Sequence, residues 1–142
     1  MADLFENLTE KEREKLINLA ERRKYKAGDI IIKEKEKGRE LFYITSGKVE
    51  IAWIRSKKVK EKFLIILSSK DTFGELSFID GKERSSDVIA ETDVEVLVFD
   101  EKKLKREMEK DKKFGAKLLL NLSRIISFKL KNTNQILNLL FS

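Results

Sequence analysis

The sequence contains neither cysteine nor histidine. Without cysteine there is no disulfide framework, no thiolate metal site and no iron–sulfur centre; without histidine the commonest general base and metal ligand are gone. Catalysis would have to rest on carboxylates, lysine or serine. Long apolar runs are lacking as well: the longest, FLIIL at residues 63–67, falls far short of the roughly 20 residues that a transmembrane helix needs, so no membrane insertion is expected. The amino terminus, MADLFENLTEKERE, is acidic and polar where a secretion signal would be basic and then apolar. A cytoplasmic location is the expectation.

What the sequence has in abundance is charge. There are 31 Lys and Arg against 25 Asp and Glu, a formal net charge of +6 in 142 residues. A basic balance points to anions, nucleic acid or an acidic membrane, whereas the alternating signs of TEKEREK, KEKEKGRE and DEKKLKREMEKDKK describe a solvated Lys/Glu surface. Such surfaces are also common in heat-adapted proteins. The length suits one compact domain, residues 1–142, with a real core and no room for a second ordinary one.

Periodicity divides that domain into three zones. In the first, about residues 1–22, Thr9 and Glu12 form a capping-box pattern, and Leu16, Ile17 and Ala20 follow at helical spacing, which predicts a short helix over about 9–21. In the second, 23–99, β-branched and aromatic clusters alternate with turns: GDIIIKE, ELFYITSGKVEIAWI, EKFLIILSS and DVIAETDVEVLVF. Ser46-Gly47 reads as a hairpin connection between LFYIT and KVEIAWI, and Glu91-Thr92-Asp93 as the join of another pair. Short strands at this spacing imply a sandwich or barrel.

The third zone, 100–142, is helical. Asp100 and Asp111 stand at capping positions, the second opening a helix of about 30 residues with no proline and one early glycine. Leu119, Leu122, Ile126, Leu130, Thr133, Leu137 and Leu140 step by three or four, which predicts one continuous stripe. A helix of that length spans about 45 Å, more than a small barrel covers. Part of the stripe should therefore meet a partner, and a parallel homodimer through this helix is the simplest closure.

The chemistry concentrates in FGELSFIDGKERSSDVIA, residues 73–90. Gly74 allows close backbone approach, and the ELSF that follows can open a helical turn whose free N–H groups attract an anion. Glu75 accepts hydrogen bonds from hydroxyls, Arg84 offers a planar fork to phosphate oxygens, and Ser85 and Ser86 are small donors. Together they suit a ligand with one phosphate and one sugar. Spacing alone leaves a plainer reading open, in which Glu75 and Arg84 pair across a loop and IDG is an ordinary turn. A hydrolase would need a metal held by carboxylates such as Asp71, Glu75, Asp80 and Asp87, whose spacing shows no clustered ligand set.

The stretch closely resembles the phosphate-binding cassette of cyclic nucleotide-binding domains, the family of the catabolite activator protein and the protein kinase A regulatory subunits. That cassette runs F-G-E-[LM]-[AGS], a few residues, then R-[STA]-[AS]. The resemblance extends to YKAGDIIIKEKEKGRELFYITSGKVEI, similar to the family's opening strands with Gly28-Asp29, Gly38 and Gly47 at the turns, and to LSSKDTFGE, the run into the cassette. It implies a mainly β fold with flanking helices: an eight-stranded double-stranded β-helix, or jelly-roll barrel, between an N-terminal helix and two C-terminal helices.

For function, the resemblance implies a sensor in signal transduction that binds a 3',5'-cyclic purine nucleotide and is not an enzyme. Glu75 would hold the ribose 2'-hydroxyl and Arg84 the cyclic phosphate, with Gly74, Leu76, Ser77, Ser85 and Ser86 completing the cradle and Ile51 and Leu64 as apolar wall. Lys129, Asn132 and Thr133 are the candidates for contact with the base, although exposure on a helix accounts for them equally. No cofactor is implied beyond the regulatory ligand, cAMP or cGMP; Ser85 fits either, with a weak preference for cAMP. Haem and iron–sulfur relatives need His or Cys ligands and are excluded.

Three departures stand out. Lys35 and Lys70 replace turn glycines, and Asp87 takes a position commonly Thr or Trp, where an outward-pointing side chain is expected. Because the sequence ends with the long helix, a stand-alone regulatory module is expected, with an unknown effector protein and no sequence-specific DNA binding. The alternative is a barrel without ligand that serves as a protein interaction or dimerisation module.

Overall fold

The computed structural model describes residues 2–54 and 62–141, with the side chains at 53, 54, 62–64 and 140 outside that description. The first helix, α1 (Glu10–Leu19), starts at the expected capping box: Thr9 Oγ1 accepts from Glu12 N–H at 3.1 Å, and Glu12 Oε1 accepts from Thr9 N–H at 2.9 Å. It stops at Leu19, short of the predicted 21, because Ala20 turns extended and begins β1 (Ala20–Tyr25), paired from Ala20 opposite Phe99. Of the expected apolar face Leu16 is buried, Ala20 is half-buried in the strand and Ile17 is exposed.

Seven more strands follow: β2 (Ile30–Ile32), β3 (Leu41–Ser46), β4 (Val49–Ile54), β5 (Lys62–Leu67), β6 (Thr72–Phe73), β7 (Asp87–Ala90) and β8 (Val94–Phe99). A short helix, α2 (Glu75–Asp80), lies between β6 and β7, and α3 (Glu101–Lys110) and α4 (Lys112–Phe141) end the chain. The strands form two antiparallel four-stranded sheets, ordered β1-β8-β3-β6 and β2-β7-β4-β5. β1 pairs with β8, β2 with β7, β3 with β6 and β4 with β5, while β3–β8 and β4–β7 pairings close each sheet. An antiparallel ribbon rolled up in this way is a jelly-roll barrel.

The two joins read as hairpin connections are not hairpins. β3 and β4 lie in different sheets, as do β7 and β8. Since β3 pairs with β8 and β4 with β7, Ser46-Gly47 and Glu91-Thr92-Asp93 are adjacent corners where a paired ribbon crosses from one sheet to the other. The corners are tied together: Glu91 and Thr92 N–H donate to Lys48 O at 3.0 and 3.3 Å, and Lys48 N–H donates to Thr92 Oγ1 at 3.0 Å. Turn residues announce a change of direction without saying which strand becomes the neighbour. Lys35 and Lys70, the replaced turn glycines, adopt φ of +69° and +76°, the left-handed region that glycine enters most freely.

Two cores share the β3–β8 sheet. Between the sheets lie Ile44, Val49, Ile51, Phe73, Val88, Val96 and Val98; on the outer face Leu41, Tyr43, Leu97 and Phe99 pack against Leu16 of α1 and against α3 and α4. β8 is thus buried on both faces, which is why VEVLVF shows an almost unbroken apolar run. Both expected caps are in place, Asp100 Oδ2 accepting from Lys103 N–H at 3.0 Å and Asp111 Oδ1 from Phe114 N–H at 3.2 Å.

The stripe on α4 is not continuous. Leu122 is buried, along with Phe114, Leu118, Asn121 and Ile125, whereas Leu119, Leu130 and Leu137 are 53%, 58% and 44% exposed. Ile126 and Thr133 are half-buried, and Leu140 lies outside the described side chains. The inner half of α4 packs through a row about one residue round from the one predicted, because LLL at 118–120 offers apolar side chains in three directions and Asn121 breaks the pattern that would distinguish them. Among the described residues no helix is long and apolar enough to cross a membrane.

α4 meets α3 where a Cβ on Gly115 would collide with the carbonyl oxygen of Met108. Gly115→Ala should therefore lower stability by about 1–3 kcal/mol despite alanine's better helix propensity. Urea denaturation checks this; an unchanged midpoint would mean that the helices move apart at no cost.

Candidate functional site

The candidate site lies where β6 runs into α2. Gly74, the N-cap of α2, has φ +80°, and a Cβ there would come within 2.8 Å of Glu40 O and 3.0 Å of Arg84 Nη1. No other residue fits that turn and that approach together. The chain then makes six helical residues, ends at Gly81, whose N–H donates to Ser77 O at 2.9 Å, and returns through 82–86. Arg84 is fixed in that return by its own backbone: its N–H donates to Glu36 O at 2.8 Å, and its carbonyl accepts from Lys35 N–H at 2.9 Å.

The Arg84 side chain is only 5% exposed. Nη1 donates to Gly74 O at 3.1 Å and Nη2 to Glu40 O at 2.9 Å, with the guanidinium 5.9 Å from the centre of the Phe42 ring. Burial lowers its pKa from the ordinary value, opposed by the charges of Glu40, Glu75 and Glu36. Guanidinium stays charged at any working pH even so. A buried permanent cation is thus held in place by neutral carbonyls.

Glu75, also 5% exposed, does not pair with Arg84 in the way the plainer reading had it. Its Oε1 accepts from Lys129 Nζ of α4 at 2.7 Å. Lys129 Nζ also donates to Thr72 O at 2.6 Å, and Thr133 Oγ1 donates to Lys129 O at 2.9 Å.

These groups face a cavity of about 260 Å³ between the barrel and α4. Gly74, Glu75, Leu76, Ser77, Arg84, Ser85 and Ser86 all line it, so the structure gathers every cassette residue singled out in the sequence. Ile51 lines it too, while the Leu64 side chain lies outside the described residues. From α4 come Lys129 and Thr133; Asn132 does not line it and borders a neighbouring groove with Phe128 and Gln135. Sequence reasoning missed Ile32, Ile65, Phe73, Ile126 and Leu130 as wall. The last two belonged to the predicted stripe, whose spacing signalled apolar contact without saying with what.

The carboxylates that a metal-dependent hydrolase would need are dispersed: Glu75 and Asp80 stand at opposite ends of α2, Asp71 just before β6 and Asp87 at the start of β7. Asp71 Oδ2 accepts from Ser68 N–H at 2.9 Å, Asp80 Oδ1 from Lys82 N–H at 2.8 Å, and Asp87 Oδ1 from Glu34 N–H at 2.7 Å. Asp87 is therefore bound to neighbouring backbone and does not line the cavity, consistent with the outward direction expected of it. Among the described residues no three acidic side chains cluster to hold a metal ion.

Barrel, cassette and covering helix together define a small-ligand binding domain built around a buried arginine. Residues 22–111 match the family described as the cyclic nucleotide-binding domain, and the chain belongs to that family. It is similar to the cAMP-dependent protein kinase regulatory subunit of Mycosarcoma maydis, 36% identical over 87 residues, which is 61% of this chain and 16% of that protein. It is also similar to cGMP-dependent protein kinase 2 of Homo sapiens, 35% identical over 98 residues, 68% of this chain and 13% of that one. The chain thus spans less than a fifth of the length of these relatives. Among solved structures, the catabolite activator protein of Thermus thermophilus superimposes with a TM-score of 0.80 at 25% identity, covering 96% of this chain and 62% of that one. The cAMP-bound PfPKA-R gives 0.65 at 30% identity, covering 72% and 36%.

Proposed function

We propose that this chain binds a 3',5'-cyclic purine nucleotide in the cavity under α4 and acts as a regulatory sensor module. The observation that carries the reading is the buried, carbonyl-braced Arg84 on the same cavity wall as Glu75 and the glycine turn at Gly74. A fixed guanidinium recognises the phosphate, the carboxylate accepts from a sugar hydroxyl, and the apolar residues suit a purine. Relatives named for dependence on cAMP and on cGMP support the ligand class about equally. The further preference for cAMP is part of the proposal. Because its family is described by binding, we read the cavity as a binding site.

Calorimetric titration with cAMP and with cGMP tests this. Saturable binding near one nucleotide per chain is expected, slightly tighter for cAMP. No heat from either at sub-millimolar concentration would sink the reading.

The exposed leucines of α4 support a second part of the proposal, a homodimer through the exposed face of that helix. Ile126 and Leu130 line the cavity, so they do not separate association from ligand binding. Leu119 and Leu137 are exposed and do not line it. Leu119→Glu with Leu137→Glu should convert a micromolar dimer to monomer in analytical ultracentrifugation while the nucleotide affinity holds. A wild-type chain that sediments as a monomer would contradict the dimer.

A further inference from the structure

The cavity wall carries a contradiction that phosphate recognition must resolve. Glu75 stands beside the residue expected to hold an anion, and Glu40 and Glu36 bear on the same guanidinium. A carboxylate on the wall accepts sugar hydroxyls well, but it repels phosphate through the same medium in which Arg84 attracts it. Lys129 answers that repulsion. Its ammonium lies 2.7 Å from Glu75 Oε1 and is braced by Thr72 O at 2.6 Å, so it uses two of its three N–H groups within the wall and lines the cavity itself. The side chains of Arg84, Glu75 and Lys129 together carry one positive charge; without Lys129 they carry none.

The second consequence concerns α4. Its inner half is anchored by Phe114, Leu118, Leu122 and Ile125 in the core. Beyond Ile125 Leu130, Leu137 and Leu139 are exposed, and Lys129 makes a polar contact between that outer half and the cassette. Glu75 and Lys129 are 54 residues apart in sequence, so the contact joins the ligand wall directly to the helix that covers it.

We propose that Lys129 is a charge-balancing and positioning residue of the nucleotide site: it neutralises Glu75, so that the carboxylate serves the sugar without repelling the phosphate, and by the same contact it fastens the outer half of α4 over the cavity. The nucleotide part rests on the proposed function, whereas the anion part can be read without a nucleotide. This differs from the base contact that the position of Lys129 suggested in the sequence. It also makes charge the property of residue 129 on which phosphate affinity depends.

The test uses the full chain with Lys129→Met, Lys129→Arg, Glu75→Gln and the double variant Glu75→Gln/Lys129→Met, each checked for folding by circular dichroism. Inorganic phosphate, titrated by NMR, probes the charge alone. Lys129→Met should bind it about tenfold more weakly than wild type, as removal of a unit charge several ångströms away predicts. Lys129→Arg should stay close to wild type, and the double variant, whose charge sum equals that of wild type, should recover. With cAMP and cGMP, Lys129→Met should lose affinity by a similar factor, while the neutral nucleosides adenosine and guanosine lose little.

Phosphate binding by Lys129→Met as tight as wild type or tighter overturns the proposal, the latter marking the ammonium as a competitor for Glu75. A double variant no better than Lys129→Met overturns it too, and marks the lysine as a structural strut. Should phosphate behave as expected while neither cyclic nucleotide binds wild type, the charge role stands and the proposed ligand fails. Amide hydrogen exchange over residues 126–141 without ligand should rise alike in Lys129→Met and Glu75→Gln. Unchanged exchange in both would overturn the fastening of α4.

Discussion

Arg84→Leu is expected to weaken cyclic nucleotide binding by about 30-fold to several thousand-fold, equivalent to roughly 2–5 kcal/mol. The size follows from burial. A phosphate brought into the cavity leaves water, and without the guanidinium it meets leucine and the carbonyl oxygens of Gly74 and Glu40, which Arg84 now satisfies. Those two carbonyls lose their donors at the same time, so part of the effect will appear as lower stability. Arg84→Lys separates the two contributions: it keeps the charge and gives up the fork that reaches both oxygens, and it should fall between wild type and Arg84→Leu. Glu75→Gln keeps the shape and weakens one charge-assisted bond to the sugar while removing a charge that repels the phosphate, so its net cost should be clearly smaller than that of Arg84→Leu. Calorimetry alongside thermal melts checks the ranking. An Arg84→Leu chain that binds as well as wild type would remove the basis of the site.

The largest stability effect is expected away from the cavity, at Asn121. This side chain is 1% exposed, and its Nδ2 donates to Leu4 O and to Glu6 O, each at 2.8 Å. It clamps the segment that delivers Leu4, Phe5 and Leu8 to the outer core. Asn121→Leu keeps the number and branching of the side-chain heavy atoms, adds some bulk and leaves two carbonyls without a donor, which should cost about 2–4 kcal/mol. In urea the midpoint should fall at an unchanged slope. A neutral or stabilising outcome would mean that water reaches both carbonyls or that the segment detaches freely.

Asn121 also shows where sequence reading ran out. In LLLNLS it looks like a polar interruption of an apolar helix, and nothing within the helix hints at partners 117 and 115 residues away. The same holds for Lys129 and Glu75, legible as members of a helix and of a cassette but not as a pair. Features set by neighbours a few residues apart were legible: the Thr9–Glu12 box, the caps at Asp100 and Asp111, and the cassette whose residues converge on one wall. Strand existence was legible from β-branched clusters, whereas strand partnership was not. Ser46-Gly47 has the chemistry of a hairpin and the position of a corner, because the choice of neighbour is made by the closing of the whole barrel. The face of α4 was misread for a related reason: three consecutive leucines satisfy several helical rows, and the core selects one of them.

The wall formed by residues 73–77 and 84–86 under α4 is the proposed nucleotide site. It is tested most directly by following backbone amide resonances of the wild-type chain during titration with cAMP. Saturable shifts are expected, concentrated at Gly74, Glu75, Leu76, Ser77, Arg84, Ser85 and Ser86, with Lys129 and Thr133 responding in step and an end point near one nucleotide per chain. Shifts scattered over the lysine-rich surface, or none at these residues at saturating nucleotide, would contradict it.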